Sequence, residues 1–395
     1  MLVALTKENR YIFADQELKT DKKDYFCPGC GKGVFYKKGT TIQSHFAHYT
    51  QKDCQTFSEG ETREHIAGKR LLFNWFKQQG IPCQLEAYLP DLKQRPDLLI
   101  WLSEKRPVAI EFQCSPISLK RMKERTKGYQ QIGYEVYWVL GASFRSHQRL
   151  TNQQRSFLRY HKHLGLQLYY LNVIKKELDC FFQIKESEPF KKISSGLLLF
   201  SLVKKGHTLS ELKSQLAKKN LAWISTKAEA IPNYLQRYQH YLNQGRFYRT
   251  KEVEEIQKYL YQQGKNLLNL PKEVYFPCYK NSFIQTSSIY WHYLIIEWIV
   301  CLDNGGCFIE MDYLGYLKQL VHEKKITLYS IPQLRDKVLT NSFLDYLSML
   351  AQLGLIEKSG EKEWKLVKHP YFYQNEAEKN RDFIEIDQEL EEKEF

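Results

Sequence analysis

Apolar and polar positions alternate from residue 2 to residue 14, as along a half-buried strand, and a Lys/Asp-rich turn follows. Residues 25–56 are glycine-punctuated, carry Cys and His, and match no long helix. Helical periodicity then runs from Ser58 to Gln79. Ser58 is placed to cap this helix, Glu61 stands at capping-box spacing, and Gly80-Ile81-Pro82 stops it. Three strand-like runs come next, Cys83–Leu89, Asp97–Leu102 and Val108–Cys114, separated by turns rich in Pro, Asp, Lys and Glu. Ser118–Gln131 reads as a basic helix ended by Gly133, and Glu135–Leu140 as an apolar, aromatic strand. The predicted order is helix, three strands, helix, strand. A hairpin of Leu166–Asn172 and Leu178–Ile184 is placed to extend the sheet.

Beyond it, Lys185 to Gly196 has the composition of a linker, and the remainder is mainly helical by pattern. Ile331–Val338 and Ser342–Leu353 read as two short helices before a strand–turn–strand over Gly354–Val367. That order matches either the back half of a winged helix or an isolated helix–hairpin. The predicted domains are a small β module at 1–57, an α/β core at 58–185, a mainly helical region at 186–375 and an acidic tail at 376–395.

With 395 residues, two or three domains are expected. The net charge is +13, yet residues 376–395 alone carry −6, leaving +19 on the body. Such a surplus favours a polyanionic partner. The tail reads as a solvated end, or as a shield for a basic groove. Nine Cys show no pairing pattern of a disulfide framework, and no segment approaches the apolar length of a membrane span or signal peptide. The reducing cytoplasm is the expected compartment.

Cys27-Pro28-Gly29-Cys30-Gly31 has the two-residue gap that lets both thiolates face one ion. His45, His48 and Cys54 follow, so five candidates compete for the four positions of structural Zn²⁺. The second pair is either His45 with His48, or one of these with Cys54. A redox Cys-x-x-Cys is disfavoured, because it would open a helix.

On the first helix Glu61, Glu64, His65, Gly68 and Lys69 form a polar stripe at core-facing spacing. Asp97 begins an apolar strand, and Glu111 lies inside the next, on one face with Gln113. Acids in such strands are costly unless paired, and a divalent cation between them removes that cost. Mg²⁺ or Mn²⁺, with water poised against a phosphodiester, is the chemistry this pattern suggests.

The helix–three-strand–helix–strand order, with Glu64, Asp97 and Glu111-x-Gln113 at these places, resembles the PD-(D/E)XK nuclease superfamily. More narrowly, residues 1 to about 185 resemble the competence protein CoiA family. The resemblance rests on Cys27-Pro28-Gly29-Cys30, His45-Phe46-Ala47-His48, Gly60-Glu61, Glu64-His65, Arg95-Pro96-Asp97 and Glu111 through Ser118, then Arg125, Tyr129 and Tyr137-Trp138-Val139-Leu140. It implies a restriction-endonuclease-like core, a metal site at Glu64, Asp97 and Glu111, and a part in DNA uptake and recombination during natural transformation. DNA, single-stranded or branched, and a RecA-type recombinase are the partners it implies. Gln113 departs from the superfamily lysine; Lys69, Arg95 and Arg125 are candidates to supply the charge, and Lys69 or Gln113 is expected to orient water or phosphate. His65 is either a metal assistant or a hydrogen-bonded helix residue; Ser115 and Ser118 suit phosphate binding or helix capping. The basic helix carrying Lys120, Arg121, Lys123 and Arg125 is placed to hold the DNA backbone. Tyr234, Arg237, Tyr238 and Tyr241, at helical spacing, suit a single strand or simple helix packing. The rival function is a nuclease fold that binds DNA and assists the recombinase with little or no hydrolysis.

Overall fold

In the computed structural model the described residues are 1–14, 24–38, 44–49, 62–145, 148–217, 233–277, 279–280, 282–302, 305–334 and 336–392. The chain is mixed α/β and divides into two compact units. The first holds residues 1–147, 156–182 and 197–222, and the second the remainder.

The first unit begins with a sheet of five short strands: β1 (Val3–Leu5), β2 (Tyr11–Phe13), β3 (Tyr25–Phe26), β4 (Gly33–Lys37) and β5 (His45–His48). Their order is β2-β1-β3-β4-β5, with each neighbouring pair antiparallel. The single strand expected over residues 2–14 is a hairpin. Its polar Thr6–Arg10 stretch turns on Asn9, at φ 56°, a conformation Asn tolerates better than most residues.

Helix α1 (Arg63–Gln78) follows, then β6 (Cys83–Leu85), β7 (Leu98–Trp101), β8 (Pro107–Gln113), α2 (Leu119–Gln131) and β9 (Glu135–Leu140). β6, β7 and β8 form an antiparallel meander, whereas β8 and β9 are parallel, with α2 as their crossover. Ser118 caps α2 by accepting from the Arg121 amide at 3.3 Å. Thr62 caps α1 by accepting from the His65 amide at 3.1 Å, in place of the expected Ser58, which lies outside the described residues with Glu61. Further on come α3 (Asn152–Ser156), β10 (Arg159–His161), β11 (Gly165–Asn172), β12 (Glu177–Ser187), β13 (Ile193–Ser201) and α4 (Leu209–Ala217). The large sheet runs β13-β12-β11-β9-β8-β7-β6, with β10 paired to β11.

α1 lies on this sheet through Ile66, Leu72, Trp75 and Phe76, all buried. Gly68 sets its distance: a Cβ there would stand 2.1 Å from Phe112 Cε1, so helix and strand could not both keep their places. Gly68→Ala should therefore lower stability by about 1–3 kcal/mol, the usual cost of overpacking. Denaturant unfolding checks this; an unchanged midpoint would mean the helix lifts from β8 freely.

The linker expected over 185–196 is not one. β12 continues to Ser187, and Glu186, Ser187 and Glu188 are buried. Glu186 pairs with Arg155 at 2.5 Å, while Glu188 accepts from the Ser288 amide at 2.8 Å. Distant partners, invisible to local composition, offset the burial of these polar groups.

The second unit contains α5 (Tyr234–Phe247), α6 (Lys251–Gln262), β14 (Tyr279–Lys280), α7 (Ser288–Val300), β15 (Cys307–Ile309), α8 (Glu310–His322), α9 (Asp336–Gln352), β16 (Ile356–Lys358), β17 (Glu363–Leu366) and α10 (Glu376–Glu392). The two short helices expected across 331–353 are instead the single helix α9. β15, β17 and β16, in that order, form a small antiparallel sheet. The acidic tail also differs from a solvated end, because α10 buries Lys379, Phe383 and Asp387. Asp387 accepts from the Leu235 amide at 2.9 Å and the Gln236 amide at 3.2 Å, capping α5 where the side chain of Asn233 does not. Lys379 donates to Tyr275 Oη at 2.5 Å, and burial lowers its pKa to about 7 against the opposing charge of Glu376.

Candidate functional site

α1 brings Glu64, His65 and Lys69 to the β7–β8 end of the sheet, and Asp97 immediately precedes β7. Asp97 Oδ2 accepts from His65 Nε2 at 3.1 Å and from the Phe112 amide of β8 at 2.9 Å. Lys69 Nζ stands 3.9 Å from Asp97 Oδ1. Burial works against ionisation of Asp97. The His65 charge and hydrogen bond, Lys69 and the Phe112 amide outweigh it and hold the carboxyl at about 2. Asp97 is therefore a carboxylate at any physiological pH.

Lys69 is buried and bonds Glu86 Oε1 at 2.5 Å. Glu86 adopts φ 50°, also accepts from the Leu2 amide at 3.0 Å, and lies 4.0 Å from the Arg95 guanidinium. The sequence reading missed Glu86. Its only local signal is an acid in an otherwise apolar Leu85–Ala87 stretch.

Glu111 is buried in β8 and accepts from Arg125 Nε at 3.2 Å, from Arg125 Nη2 and from the Tyr129 hydroxyl. Burial raises its pKa, Arg125 opposes the rise and the Asp97 charge adds to it. Arg125 Nη2 also donates to the Arg95 carbonyl at 3.0 Å. Arg125 is thus turned into the core, apart from Lys120 and Lys123, which are exposed on α2, and Arg121, which is partly exposed. Gln113 is buried as well, and its amide donates to the Ser115 carbonyl at 2.7 Å.

Glu64 Oε1 accepts from the Ala142 amide at 2.7 Å, just past β9. Gly141 permits this approach, since a Cβ there would meet Glu64 Oε1 and Cys114 Sγ, each at 2.9 Å. Burial raises the Cys114 thiol, and the charges of Glu64 and Asp97 raise it further. Glu64, Asp97 and Lys69 all act on this one thiol, so they share one neighbourhood. Among the described residues the oxygens of Glu64, Asp97 and Glu111 do not form a single ligand set, because each carboxylate is held by its own donors.

Cys27, Cys30 and His48 do form one: their ligand atoms all lie within 4.8 Å of one another. Cys30 Sγ is 3.3 Å from His48 Nε2. The knuckle is closed by Gly31 N to Cys27 O at 2.9 Å and Cys27 N to Lys32 O at 2.8 Å, with Gly31 at φ 68°. Gly29 N donates to Cys27 Sγ at 3.4 Å, which holds the sulfur in the turn. Burial lowers the pKa of His48, and Arg95, the N-terminal amine and Lys32 lower it further, favouring the neutral ring that ligates a metal. His45 is three positions away on β5, opposite Lys37, and is not part of the set; Cys54 lies outside the described residues.

Tyr234 and Tyr238 do not form an exposed aromatic stripe: they are buried, and Tyr234 Oη donates to the Tyr275 carbonyl at 2.9 Å. Arg237 lies over the Phe190 ring at 4.8 Å. No helix among the described residues is long and apolar enough to cross a membrane.

Three family models match in series. They are described as the N-terminal domain of competence protein CoiA over residues 12–57, its nuclease-like domain over 61–210 and its C-terminal domain over 231–379. A protein named competence protein CoiA from Bacillus subtilis (strain 168) is 25% identical over 373 residues, covering 90% of this chain and 93% of that one. No solved structure matches. With all three domains matched in order, and the acidic cluster inside the nuclease-like one, the chain belongs to the competence protein CoiA family.

Proposed function

We propose that this protein hydrolyses phosphodiester bonds of DNA in a metal-dependent manner during natural transformation, using a PD-(D/E)XK-type core. The observation that carries the reading is Asp97: an ionised carboxylate at the start of β7, tied to β8 by the Phe112 amide. Glu64 and Glu111 supply further oxygen donors on neighbouring elements, a chemistry that suits Mg²⁺ or Mn²⁺. A divalent cation supplies Lewis acidity toward phosphate oxygen and water. Lys69 sets the charge beside Asp97, in the part the superfamily lysine has elsewhere. Glu111 is available as a ligand once Arg125 turns to a phosphate, an exchange of one anion for another at the same guanidinium. Lys120, Arg121 and Lys123 are placed to follow the DNA backbone, in the cytoplasm, where single-stranded or branched DNA and a RecA-type recombinase are the proposed partners.

A second reading has its own observation. Glu111 is held by Arg125 and Tyr129, and Gln113 is turned to the Ser115 carbonyl. A core held this way suits a protein that binds DNA and assists the recombinase without cutting. Incubating single-stranded, duplex and branched DNA with Mg²⁺ or Mn²⁺ separates the two. Cleavage lost in Asp97→Ala and Glu111→Ala supports hydrolysis, whereas intact substrates with equal binding by all three proteins sink it.

For the Cys27–Cys30–His48 cluster we propose structural Zn²⁺, completed by a fourth ligand. Two thiolates and an imidazole are the donor set that zinc prefers, and a sheet of strands two to five residues long has little core of its own. Metal binding to such a module contributes on the order of 10 kcal/mol to its folding. Protein purified without chelators should contain one zinc per chain by elemental analysis. Cys30→Ser should lose the metal together with the cooperative unfolding of residues 1–57, as read by hydrogen exchange; a full zinc complement in that variant would contradict the assignment.

A further inference from the structure

We propose that the corner between α5 and α6 binds single-stranded nucleic acid, at a site of its own on the second unit. Gly245 makes the corner. A Cβ at this position would lie 2.5 Å from Val253 Cγ2 and 3.0 Å from Thr250 Oγ1, so glycine lets the first turn of α6 close on α5. The Thr250 amide seals the turn by donating to the Gly245 carbonyl at 2.9 Å. What remains is an open cleft of about 640 Å³, lined by Arg246, Arg249, Glu254, Gln257, Lys258 and Tyr261 among others.

Three cations and one acid face this space. The neighbouring acids Glu252 and Glu255 are engaged elsewhere, by Lys191 at 3.8 Å and Lys251 at 3.9 Å. Arg249 adopts φ 49° just past the end of α5, a place where glycine is the usual residue.

Near these cations in the chain stand three of the four exposed aromatic rings among the described residues of this unit, of which Tyr261 lines the cleft itself. Phe247 is 80% exposed, Tyr248 72% and Tyr261 54%; the fourth exposed aromatic among its described residues is Tyr371. Phe247 and Tyr248 lie edge to face with ring centroids 5.0 Å apart, and the Tyr261 hydroxyl is fixed by Gln257 at 2.8 Å. Rings left in water add little to folding, but unpaired bases stack on them, and guanidinium and ammonium groups meet the phosphates between. A duplex keeps its base faces covered and could use only the cations. The combination therefore selects a single strand.

Fluorescence anisotropy of a labelled 20-nucleotide oligo(dT) with the full chain, without added Mg²⁺ or Mn²⁺, tests this independently of any cleavage. Arg246→Ala with Arg249→Ala should weaken binding about 10-fold and flatten the slope of log affinity against log salt by about 1.4, the share of two phosphate contacts on a single strand. Phe247→Ala with Tyr248→Ala should weaken binding at least about 5-fold with the salt slope unchanged, the loss expected when one base is unstacked. All four side chains lie at the surface or partly so, and circular dichroism verifies folding. Wild-type affinity and slope in both double variants would overturn the proposal, as would loss of binding confined to Lys120→Ala with Lys123→Ala. Failure of the wild-type chain to bind oligo(dT) would also overturn it, leaving the corner to a protein partner.

Discussion

Asp97→Asn is expected to reduce Mg²⁺-dependent DNA cleavage by about 10³-fold or more, equivalent to roughly 4 kcal/mol of transition-state stabilisation. The substitution preserves shape, and the amide oxygen can still accept from the Phe112 amide, so the β7–β8 register should survive. What disappears is the negative charge that His65 and Lys69 surround. The same variant carries a second readout. The Asp97 carboxyl titrates at about 2 against an ordinary 3.8, so its ionised form stabilises the fold by about 2 kcal/mol above pH 4, and that contribution fades as the pH falls toward 2. Acid unfolding of wild type should thus lose stability over this window, whereas Asp97→Asn should show a flatter course. Parallel acid curves would mean that Asp97 is not held as a special carboxylate. Undiminished cleavage would remove it from the chemistry.

Arg125→Met is expected to destabilise the protein by about 3–5 kcal/mol, the usual result of leaving one member of a buried ion pair alone. Glu111 is almost wholly buried in β8, and Tyr129 can satisfy only part of its charge. The deficit should depend on pH. Burial already raises the Glu111 pKa, and removal of Arg125 raises it further, so the folded form prefers the protonated acid. Stability is then greatest below the unfolded carboxyl value and declines as the pH climbs toward the folded one. Urea titrations of Arg125→Met should accordingly show a larger deficit at pH 8 than at pH 5. Adding Glu111→Gln should recover much of the loss and abolish the pH dependence; a double variant as unstable as the single one would show that Arg125 acts through packing alone.

These side chains also mark where sequence stops being informative. β9 and α2 are legible because their patterns are strong: a six-residue aromatic–aliphatic run, and a serine cap before a basic helix with a buried face of Met122, Thr126 and Tyr129. Glu64, Asp97 and Glu111 stand out for a related reason, since acids inside apolar strands or beside a core-facing stripe demand an explanation. Glu86 does not, because its role comes from a left-handed backbone and from partners at Leu2 and Lys69. Arg125 reads both as a cation of the basic helix and as a candidate charge for the acidic site; its pairing with Glu111 and Tyr129 inside the core is not visible in the pattern. Residues 185–196 mislead most. Lys, Glu, Ser and Pro describe a linker until Arg155 and the Ser288 amide are supplied from elsewhere in the chain.

The capping of α5 by Asp387 sets a schedule for synthesis. The Leu235 amide and its acceptor are 152 positions apart, so a ribosome adding about 5–20 residues per second needs roughly 8–30 s between them. Throughout that interval the amino end of α5 emerges with its donors facing water, and Phe383, which packs against Tyr275, does not yet exist. The cap of α5 and the packing of Phe383 on Tyr275 must wait until α10 is made. A chaperone or protease meeting the half-made protein would therefore find its target in the second unit.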